Sequence, residues 1–507
     1  MPTRQLHLAQ AGPAEVADAL AALRAEVGLP AMFPAEVRDE AEKSAADGGT
    51  ALGGKSRKAR QDRRDVELVT IDPPGSMDLD QAVHVASSGR GYIVRYAIAD
   101  VAAFVAPGGP LDAETHRRGT TVYGPDVRTP LHPPVLSEGA ASLLPDEDRP
   151  AVLWTIGLDA DGEITSSSVT RATVRSRARL TYGEVQGQLD AGTASDSLAL
   201  LADVGRLRQE RERDRGGVSL EVPEQEIVPQ PDGSFALELR RTLPVEGWNA
   251  QISLLTGIAA AAMMREAGVG LLRTLPPADD RDVARLRRTA AALAIEWPDE
   301  LSYAQLVPTL ESRRPAHAAF LSEATSLFRG AGYLAFGAPG PDGGAPVALP
   351  ADARHAAIAA EYAHVTAPLR RLADRYATEV CLAHAAGKEP PGWVTEALPD
   401  LPETMAAASR TAGAFERGCV DVVEAALLAG REGEAFDGVV VDVRGGSKGA
   451  EGADAAPAGG AQRGDVMLRE PAVRARIEGA DLPLGERVRA TLAEASVPDR
   501  RVLFTLG

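Results

Sequence analysis

Hydrophobic and polar residues follow a regular order in the middle of the chain, and this order predicts a large region of alternating strands and helices. β-branched and apolar residues fill the run from Val66 to Ile71, which stops at Asp72 and predicts a buried strand. A second apolar run, from Tyr92 to Val105, predicts another buried strand. No internal repeat or low-complexity stretch interrupts the elements that begin at Val66. We therefore expect one large central domain.

The two ends of the chain carry different patterns. Apolar residues recur at helical spacing from Val16 to Val27, and a second, polar helix is predicted over residues 35–45. From Glu432 onward, five short alternating runs predict the strands of a small β-barrel, with a Gly- and Ala-rich insert between the first two. We therefore divide the chain into a helical leader (1–62), a central domain (63–430) and a barrel (431–507). The two predicted helices of the leader are compatible with a helix-turn-helix.

Two arginines stand at the predicted start of a buried helix. Thr366 is a suitable N-cap, Pro368 suits a first turn, and apolar residues recur at helical spacing as far as Val380. Arg370 and Arg371 would then lie near the positive end of the helix dipole, where cations are unfavourable unless an anion binds beside them. The pattern therefore predicts a phosphate site.

Composition narrows the class of protein. The chain has 507 residues, of which 44% are hydrophobic, and this leaves room for two to four domains with sizeable cores. Cys381 and Cys419 are too few for a disulfide framework or a zinc cluster. The first residues lack an apolar signal core, and no run approaches the length of a membrane span. We expect a cytoplasmic protein that is neither secreted nor inserted in a membrane.

The net charge of −18 disfavours a general nucleic-acid coat, so any binding of a polyanion must depend on local basic surfaces. Two candidates are present: residues 55–64, with six basic side chains, and a predicted strand on which Arg171, Arg175, Arg177 and Arg179 share one parity. Taken alone, each could equally be a solvated charged face. Together they predict a basic path.

Three carboxylates follow the first predicted strand within a single loop. Asp72 ends the strand, and Asp78 and Asp80 follow a Pro-Pro-Gly turn. Carboxylates this close repel one another unless a cation lies between them, and all-oxygen ligands suit Mg²⁺ or Mn²⁺. A solvated acidic turn is the simpler alternative, but charges placed directly after a buried strand are costly without a partner. The loop lacks the glycine and closing glutamate of a calcium-binding EF-hand.

The segment TIDPPGSMDLDQA resembles the signature of the ribonuclease II / ribonuclease R (RNB) exoribonuclease family, in which T-I-D precedes a short loop and D-x-D-D. RRGTTVY, TAPLRRLAD and the Glu416-Arg417 pair resemble further motifs of the family, in the family's order. The sequence departs from the pattern at three positions: Gln81 replaces the fourth carboxylate, Ala367 replaces a serine and Leu372 replaces a tyrosine. An amide oxygen can still bind Mg²⁺ but carries no charge, which would weaken a second metal position.

The resemblance implies a fold, a reaction and a set of site residues. The fold would be α+β: an RNB-type catalytic domain with a mixed sheet and surrounding helices, ending in an OB barrel. The activity would be metal-dependent, hydrolytic 3′→5′ degradation of single-stranded RNA to nucleoside 5′-monophosphates. The cofactor would be Mg²⁺, with Mn²⁺ as the alternative; neither an organic cofactor, a membrane nor an oligomer is implied. The implied residues are Asp80, Arg370, Tyr123 and Glu416 for catalysis, Asp72, Asp78 and Asp80 for metal, and Tyr123, Arg118, Arg370 and Arg371 for RNA.

Two other readings remain open. Strands followed by D-x-D loops also occur in haloacid-dehalogenase-type phosphohydrolases and sugar-nucleotide transferases, but these would explain neither TAPLRR nor the C-terminal barrel. A non-catalytic RNA-binding protein with a decayed nuclease core is favoured only by Gln81 and by a barrel with few aromatic residues.

Overall fold

The computed structural model describes residues 13–51, 60–219, 224–229, 235–240, 242–311, 314–339, 344–444, 462–468, 470–471 and 473–506. The α-helices are α1 (Pro13–Glu26), α2 (Ala35–Ala46), α3 (Pro110–Arg118), α4 (Tyr182–Asp190), α5 (Asp196–Asp214), α6 (Pro244–Ala267), α7 (Asp280–Ala292), α8 (Tyr303–Leu306), α9 (Pro315–Ala324), α10 (Leu372–Ala385), α11 (Gly392–Ala397) and α12 (Leu401–Leu428). The strands are β1 (Gln61–Asp62), β2 (Leu68–Asp72), β3 (Gln81–Ser88), β4 (Gly91–Ala99), β5 (Asp148–Leu158), β6 (Ile164–Thr181), β7 (Glu224–Pro229), β8 (Phe235–Arg240), β9 (Gly270–Thr274), β10 (Gly332–Phe336), β11 (Ala435–Arg444), β12 (Gln462–Leu468), β13 (Arg474–Gly479), β14 (Arg487–Ser496) and β15 (Arg501–Leu506).

A mixed six-stranded sheet forms the centre of the fold, in the spatial order β1-β6-β2-β3-β4-β5. Strands β2 to β5 pair antiparallel with their neighbours, whereas β6 runs parallel to β2. β6 also pairs antiparallel with β5 over residues 164–175 before it pairs with β2 over residues 176–181. Because one long strand pairs at both edges, the sheet curls round and brings the end of β2 beside the end of β6.

Helices cover one face of this sheet and bury its apolar side chains. α5 packs on β3, α10 packs on β6, and α6 packs on both helices. Trp154 and Tyr96 lie fully buried in the core that these elements share. Burial of this much apolar surface is the main term that holds the sheet and helices together.

The strand predicted from Tyr92 to Val105 is correct only as far as Ala99, where β4 ends. Asp100 is 2% exposed, and its carboxylate pairs with Arg60 at 2.8 Å and with Arg171 at 3.0 Å. A helical turn follows over residues 101–103. The apolar residues after Asp100 are therefore buried in a helical turn and not in the strand, and the side chain at the boundary is held by two ion pairs.

Both helices predicted in the leader are present as α1 and α2. α1 packs on α12, and its Val16 and Leu20 share a core cluster with the barrel. α2 packs on α3, and its Val37 and Ala41 belong to a different cluster. Each leader helix therefore has its own docking surface on the rest of the chain.

The helix predicted to begin at Thr366 begins six residues later, so this prediction was wrong in its start. Arg371 is the N-cap residue and α10 starts at Leu372, while the backbone N–H groups of Arg370 and Arg371 donate to the carbonyl of Ala367 at 3.2 and 2.9 Å. The buried carboxylate of Asp374 also accepts a 2.6 Å hydrogen bond from the backbone N–H of Ala367. These contacts stabilise a separate turn ahead of the helix.

The sequence predicts a small barrel of five C-terminal strands, and this prediction is confirmed. The strands form a closed barrel in the order β11-β12-β13-β15-β14. Phe436 and Phe504 pack edge to face inside the barrel, at 5% and 0% exposure, with ring centroids 5.6 Å apart. These rings are core residues and do not offer a surface for bases. The Gly- and Ala-rich insert between β11 and β12 lies outside the described residues.

Helices α7 to α9, which the sequence analysis did not predict, lie between β9 and β10 in the chain and pack against the barrel. α9 packs on β11, and Phe320 of α9 shares a core cluster with Val441 of β11. Within the described part of the chain, no helix is both long enough and apolar enough to cross a membrane.

Candidate active site

The acidic loop between β2 and β3 is fixed by a neighbouring segment. Leu79 is fully buried, its backbone N–H donates to Ser142 Oγ at 3.0 Å, and its carbonyl accepts from the backbone N–H of Leu143 at 3.0 Å. Ser142 Oγ donates in turn to the carbonyl of Met77 at 2.6 Å. Asp78 and Asp80, on either side of Leu79, are therefore attached to a rigid support.

Asp80 contacts the turn that precedes α10. Its Oδ1 atom accepts a 2.7 Å hydrogen bond from the backbone N–H of Leu369, and its Oδ2 atom lies 3.7 Å from Nε of Arg370. Asp80 is 5% exposed. Burial raises the pKa of this carboxyl to about 8, against the opposing effects of Arg370 and of the hydrogen bond from Leu369. The carboxylate therefore needs additional positive charge to stay ionised at neutral pH.

Asp72 lies in the same field at the end of β2. Burial and the nearby Asp78 carboxylate raise the pKa of Asp72 to about 6, while Arg370 and Arg179 act in the opposite direction. Its Oδ2 atom is buried and has no hydrogen-bond partner among the residues that the structure describes. A buried, unpaired carboxylate oxygen is unfavourable unless a cation or water completes it.

The turn that carries Arg370 is anchored on the loop after α3. The carbonyl of Arg370 accepts hydrogen bonds from Thr121 N–H at 3.0 Å and from Thr120 Oγ1 at 2.9 Å. The buried His132 ring bonds through Nδ1 to the carbonyl of Leu369 at 3.0 Å. These contacts fix the backbone of the turn, whereas the Arg370 side chain is 46% exposed and lies over the acidic loop.

The two adjacent arginines differ in environment. Arg371 forms a bidentate pair with Asp374, with both N–O distances at 2.9 Å. Asp374 is fully buried, and its negative charge keeps the pKa of Arg371 raised even though burial acts to lower it. Arg370 is therefore available to a ligand, while the Arg371 guanidinium is engaged within the protein. The RNA-binding role predicted for Arg371 stays a prediction.

Tyr123 lies at the mouth of the site. Its hydroxyl donates to Oδ2 of Asp78 at 3.1 Å, and the residue is 50% exposed. Burial of the hydroxyl and the neighbouring Asp78 carboxylate raise the pKa of Tyr123.

Gly119 ends α3 with a φ of 66°, and a Cβ atom there would lie 2.6 Å from Cβ of Ala408. The glycine before this loop therefore permits the close approach of α12.

Sequence analysis missed Arg128, which contacts the acidic loop, and Glu138, which pairs with Arg128. Arg128 donates through Nη1 to Oδ1 of Asp78 at 2.7 Å and pairs through Nη2 with Glu138. Neither belongs to a motif identified in the sequence. Arg128 lies on the same loop as Tyr123, and that proximity in sequence was the one signal available.

The amide oxygen of Gln81 contacts a buried tyrosine. Its Oε1 atom accepts a hydrogen bond from the Tyr96 hydroxyl, and Ser253 Oγ lies 3.4 Å from the same oxygen. Tyr96 and Ser253 also bond to each other at 2.8 Å. Because the Tyr96 proton goes to Gln81, the Ser253 proton goes to Tyr96, and one of the two lone pairs of the amide oxygen is occupied.

Two other predicted site residues lie in different settings. Arg118 is 8% exposed, and its guanidinium donates to Glu114 at 2.7 Å, to the Pro130 carbonyl at 3.0 Å and to the Met32 carbonyl at 3.1 Å. Glu416 is exposed on α12, next to the buried Phe415. The structure thus gives Arg118 partners within the protein. The functional roles of both residues stay predictions.

The predicted basic path is divided by ion pairs. Arg171 pairs with the buried Asp100 and Glu379, which removes it from the surface. Arg179 is exposed and bonds to the Ser76 carbonyl at 3.3 Å, beside the acidic loop. Residues 52–59, which include part of the basic run, lie outside the described residues.

The carboxylates of Asp72, Asp78 and Asp80 are the type of ligand that binds a divalent cation, but their present arrangement is not a complete ion site. Among the described residues, no group of three His, Cys, Asp or Glu side chains lies close enough to hold a metal. The unpaired Oδ2 of Asp72 and the raised pKa of Asp80 are nevertheless the features expected where positive charge is to be added. An ion shared by Asp72, Asp78 and Asp80 would lie close to the positive charge of Arg128, which pairs with Asp78 at 2.7 Å.

The geometry therefore combines acidic oxygens, an accessible guanidinium and a half-exposed aromatic ring. Such a combination suits a nucleotide phosphodiester, because the guanidinium can bind phosphate oxygens and the ring can stack on a base.

Comparison with known proteins agrees with this arrangement. A family model described as the RNB domain matches residues 60–385, and one described as the RNase II-type exonuclease C-terminal S1 domain matches residues 434–507. The chain is 30% identical over 336 residues to the exosome complex exonuclease RRP44 homolog A of Arabidopsis thaliana. The aligned region covers 63% of this chain and 35% of that protein. It is 27% identical over 420 residues to ribonuclease R of Escherichia coli. This aligned region covers 77% of this chain and 49% of that protein. The chain thus spans about half or less of the length of these relatives.

Solved structures share the fold. Ribonuclease R of Mycoplasma genitalium in its apo form superposes with a TM-score of 0.81 at 21% identity, covering 97% of this chain and 78% of that one. Yeast Ssd1, described as a pseudonuclease, superposes with a TM-score of 0.61 at 16% identity, covering 89% of this chain and 53% of that one. The RNB match covers more than half of the sequence and includes the loop of Asp72, Asp78 and Asp80 and the turn of Arg370. The chain therefore belongs to the RNB family, with an RNase II-type S1 domain at its C-terminal end.

Proposed function

We propose that this protein is a metal-dependent, hydrolytic exoribonuclease that degrades single-stranded RNA from its 3′ end and releases nucleoside 5′-monophosphates. The observation that carries the proposal is the 3.7 Å separation between Arg370 Nε and Asp80 Oδ2. Two motifs far apart in the sequence meet there, one acidic and one basic. Cleavage of a phosphodiester needs both, because the negative charge on the phosphate must be neutralised while water attacks.

Arg370 is placed to bind the nonbridging oxygens of the scissile phosphate. Its backbone is fixed by Thr120 and Thr121 while its side chain is 46% exposed, so the guanidinium can reach a ligand without rearrangement of the turn. Charge-assisted hydrogen bonds from a guanidinium become stronger as charge accumulates on those oxygens in the transition state. Arg370 therefore acts as the electrostatic group of the reaction.

Tyr123 is placed to hold the terminal nucleotide. Half of its surface is exposed, while its hydroxyl is tethered to Asp78 at 3.1 Å. A tethered ring offers a rigid plane on which any base can stack, so this contact would not select a sequence. Recognition of the ribose 2′-hydroxyl would favour RNA over DNA.

Asp72, Asp78 and Asp80 would hold the divalent cations of a two-metal reaction, Mg²⁺ or Mn²⁺. When bound, such an ion supplies Lewis acidity to the phosphate and lowers the pKa of a coordinated water. The burial of Asp80 and the unpaired Oδ2 of Asp72 support this assignment. Leu369 N–H keeps the Asp80 carboxylate oriented towards Arg370.

The similar proteins support the substrate class. Relatives are named exosome complex exonuclease and ribonuclease R, and the Mycoplasma genitalium enzyme has been solved with ribose-methylated single-stranded RNA and with double-stranded RNA. A non-catalytic RNA-binding protein is the second candidate, and two observations favour it: Gln81 stands at the fourth acidic position with its oxygen engaged elsewhere, and a pseudonuclease shares the fold.

A digest of end-labelled RNA separates the two candidates. With Mg²⁺ or Mn²⁺, 3′-labelled RNA should release labelled mononucleotide at once, while 5′-labelled RNA should shorten gradually. Asp80→Asn should abolish both signals and still bind RNA, whereas Asp47→Asn, at an exposed position after α2, should behave as wild type. Binding without any release of nucleotide by the wild-type protein would favour the second candidate.

A further inference from the structure

Asp78 already has a cation beside it. Arg128 Nη1 lies 2.7 Å from Asp78 Oδ1, and Arg128 Nη2 pairs with Glu138. The side chains of Arg128 and Asp78 are 26% and 13% exposed. The guanidinium thus bridges two carboxylates in a partly buried position, where an ion pair is stronger than one in open solvent.

The bridge places a positive charge beside a carboxylate of the acidic loop, where a metal ion would otherwise approach. Asp78 accepts from Arg128 through Oδ1 and from Tyr123 through Oδ2, the latter at 3.1 Å. Gln81 accepts from Tyr96 and, as an amide, adds no negative charge. The carboxylates of Asp72 and Asp80 are left, one with an unpaired buried oxygen and the other with its Oδ1 on a backbone N–H. Each Asp78 oxygen keeps a second lone pair, so it is the charge of Arg128, and not a lack of ligand oxygens, that makes this set suit one divalent ion better than two.

We propose that Arg128 is a positioning residue that occupies the place of a second cation at Asp78. The protein would then bind one divalent ion more tightly than a second, because the guanidinium beside Asp78 repels the second. Glu138 orients Arg128 for this role by accepting its other Nη group. The inference rests on the metal site of the proposed function and extends it to the number of ions held.

A titration with Mn²⁺ tests this without measuring cleavage. Electron paramagnetic resonance of free Mn²⁺ gives the number of bound ions and their affinities in wild type, Arg128→Gln and Arg128→Lys. Wild type should bind one ion tightly. Arg128→Gln should bind a second on the order of tenfold more tightly than wild type does, because one opposing charge is removed from beside Asp78. Arg128→Lys keeps the charge and should resemble wild type.

Two further variants make the result specific. Arg90→Gln removes an exposed arginine from the turn between β3 and β4 and should leave Mn²⁺ binding unchanged. Arg128→Ala repeats the test with a different side chain in case the glutamine variant does not fold, which a thermal melt would reveal. Asp80→Asn should lose the tight ion.

The outcomes separate this inference from the function on which it depends. Two tight ions in wild type, or identical titrations for wild type and the Arg128→Gln and Arg128→Ala variants, overturn the role of Arg128 and leave the nuclease proposal intact. Absence of bound Mn²⁺ in every variant overturns the metal site itself, and the role of Arg128 with it. A tighter second ion in Arg128→Gln and Arg128→Ala, but not in Arg90→Gln, supports the inference.

Discussion

The backbone N–H of Leu369 donates a 2.7 Å hydrogen bond to Oδ1 of Asp80. This contact joins the acidic loop to the arginine turn and sets the position of Arg370 relative to the carboxylates. It is made by a backbone atom, so it depends on the path of the chain and not on the side chain at position 369. The buried His132 completes the support from the other side of the turn.

Asp80→Asn should separate catalysis from folding. Asparagine keeps an oxygen that can accept from Leu369 N–H, so we expect the fold to survive, but it removes the negative charge beside Arg370. Cleavage should fall by on the order of 10³-fold, a loss typical of a central electrostatic group. Single-turnover digestion and RNA-binding anisotropy would measure the two effects. Cleavage within tenfold of wild type would contradict the assignment.

Arg370 and Arg371 should give opposite phenotypes although they are adjacent. Arg370→Gln removes a 46% exposed group and should reduce cleavage by about 10²–10³-fold with little change in stability. Arg371→Gln leaves the buried Asp374 carboxylate without its bidentate partner and should lower the free energy of unfolding by about 3 kcal/mol. Urea unfolding and digestion assays on both variants provide the comparison. Equal loss of stability in the two would contradict the distinction.

Tyr123 should act through its ring. Tyr123→Ala removes the stacking surface and should weaken binding of a short RNA by about 1–3 kcal/mol. Tyr123→Phe keeps the ring and loses only the hydrogen bond to Asp78, so its RNA affinity should stay close to that of wild type. Fluorescence anisotropy with a 3′-labelled oligonucleotide measures both affinities. If Tyr123→Phe and Tyr123→Ala weaken RNA binding equally, the hydroxyl and not the ring makes the important contact.

His132 should make stability depend on pH. Burial lowers the pKa of this ring to about 4 in the folded protein, while the unfolded chain titrates near its ordinary 6.5. Above pH 6.5 the ring is neutral in both states. As the pH falls from about 6.5 to about 4, only the unfolded state takes up the proton, so the folded state should lose about 3 kcal/mol of stability over that range.

His132→Asn tests this dependence, because asparagine can still donate to the Leu369 carbonyl but does not titrate. Urea unfolding between pH 7.5 and pH 4.5 should show a smaller loss of stability in the variant than in wild type. His384→Asn, at a partly exposed histidine on α10, serves as a matched histidine-to-asparagine substitution. Parallel curves for wild type and His132→Asn would contradict the prediction.

Removal of divalent ions should stop the reaction reversibly. Treatment with EDTA should abolish release of nucleotide, and addition of Mg²⁺ or Mn²⁺ should restore it, because the ion supplies charge that Arg370 alone does not. The labelled-RNA digest, followed before and after dialysis, measures this. Full activity in EDTA would contradict a metal-dependent mechanism.

Local sequence patterns predicted the elements that depend on residues near one another in the chain. The strand ending at Asp72, the two leader helices and the five barrel strands follow from apolar periodicity and turn residues, and all are present. The resemblance also implied Asp80 and Arg370 as residues of one site, and in the structure these two side chains lie 3.7 Å apart. Periodicity and capping act over a few residues, so these features are readable without a structure.

Other features were decided by contacts between distant segments. The turn before α10 replaces the predicted first helical turn because Asp374 and the loop of Thr120 and Thr121 hold its backbone. Arg371 is engaged internally, Gln81 is directed towards Tyr96, and Arg128 is paired with Asp78. No local pattern distinguishes a free arginine from a paired one. The partner of a charged side chain is chosen by the packing that brings distant chain segments together, and burial then makes that choice energetically large.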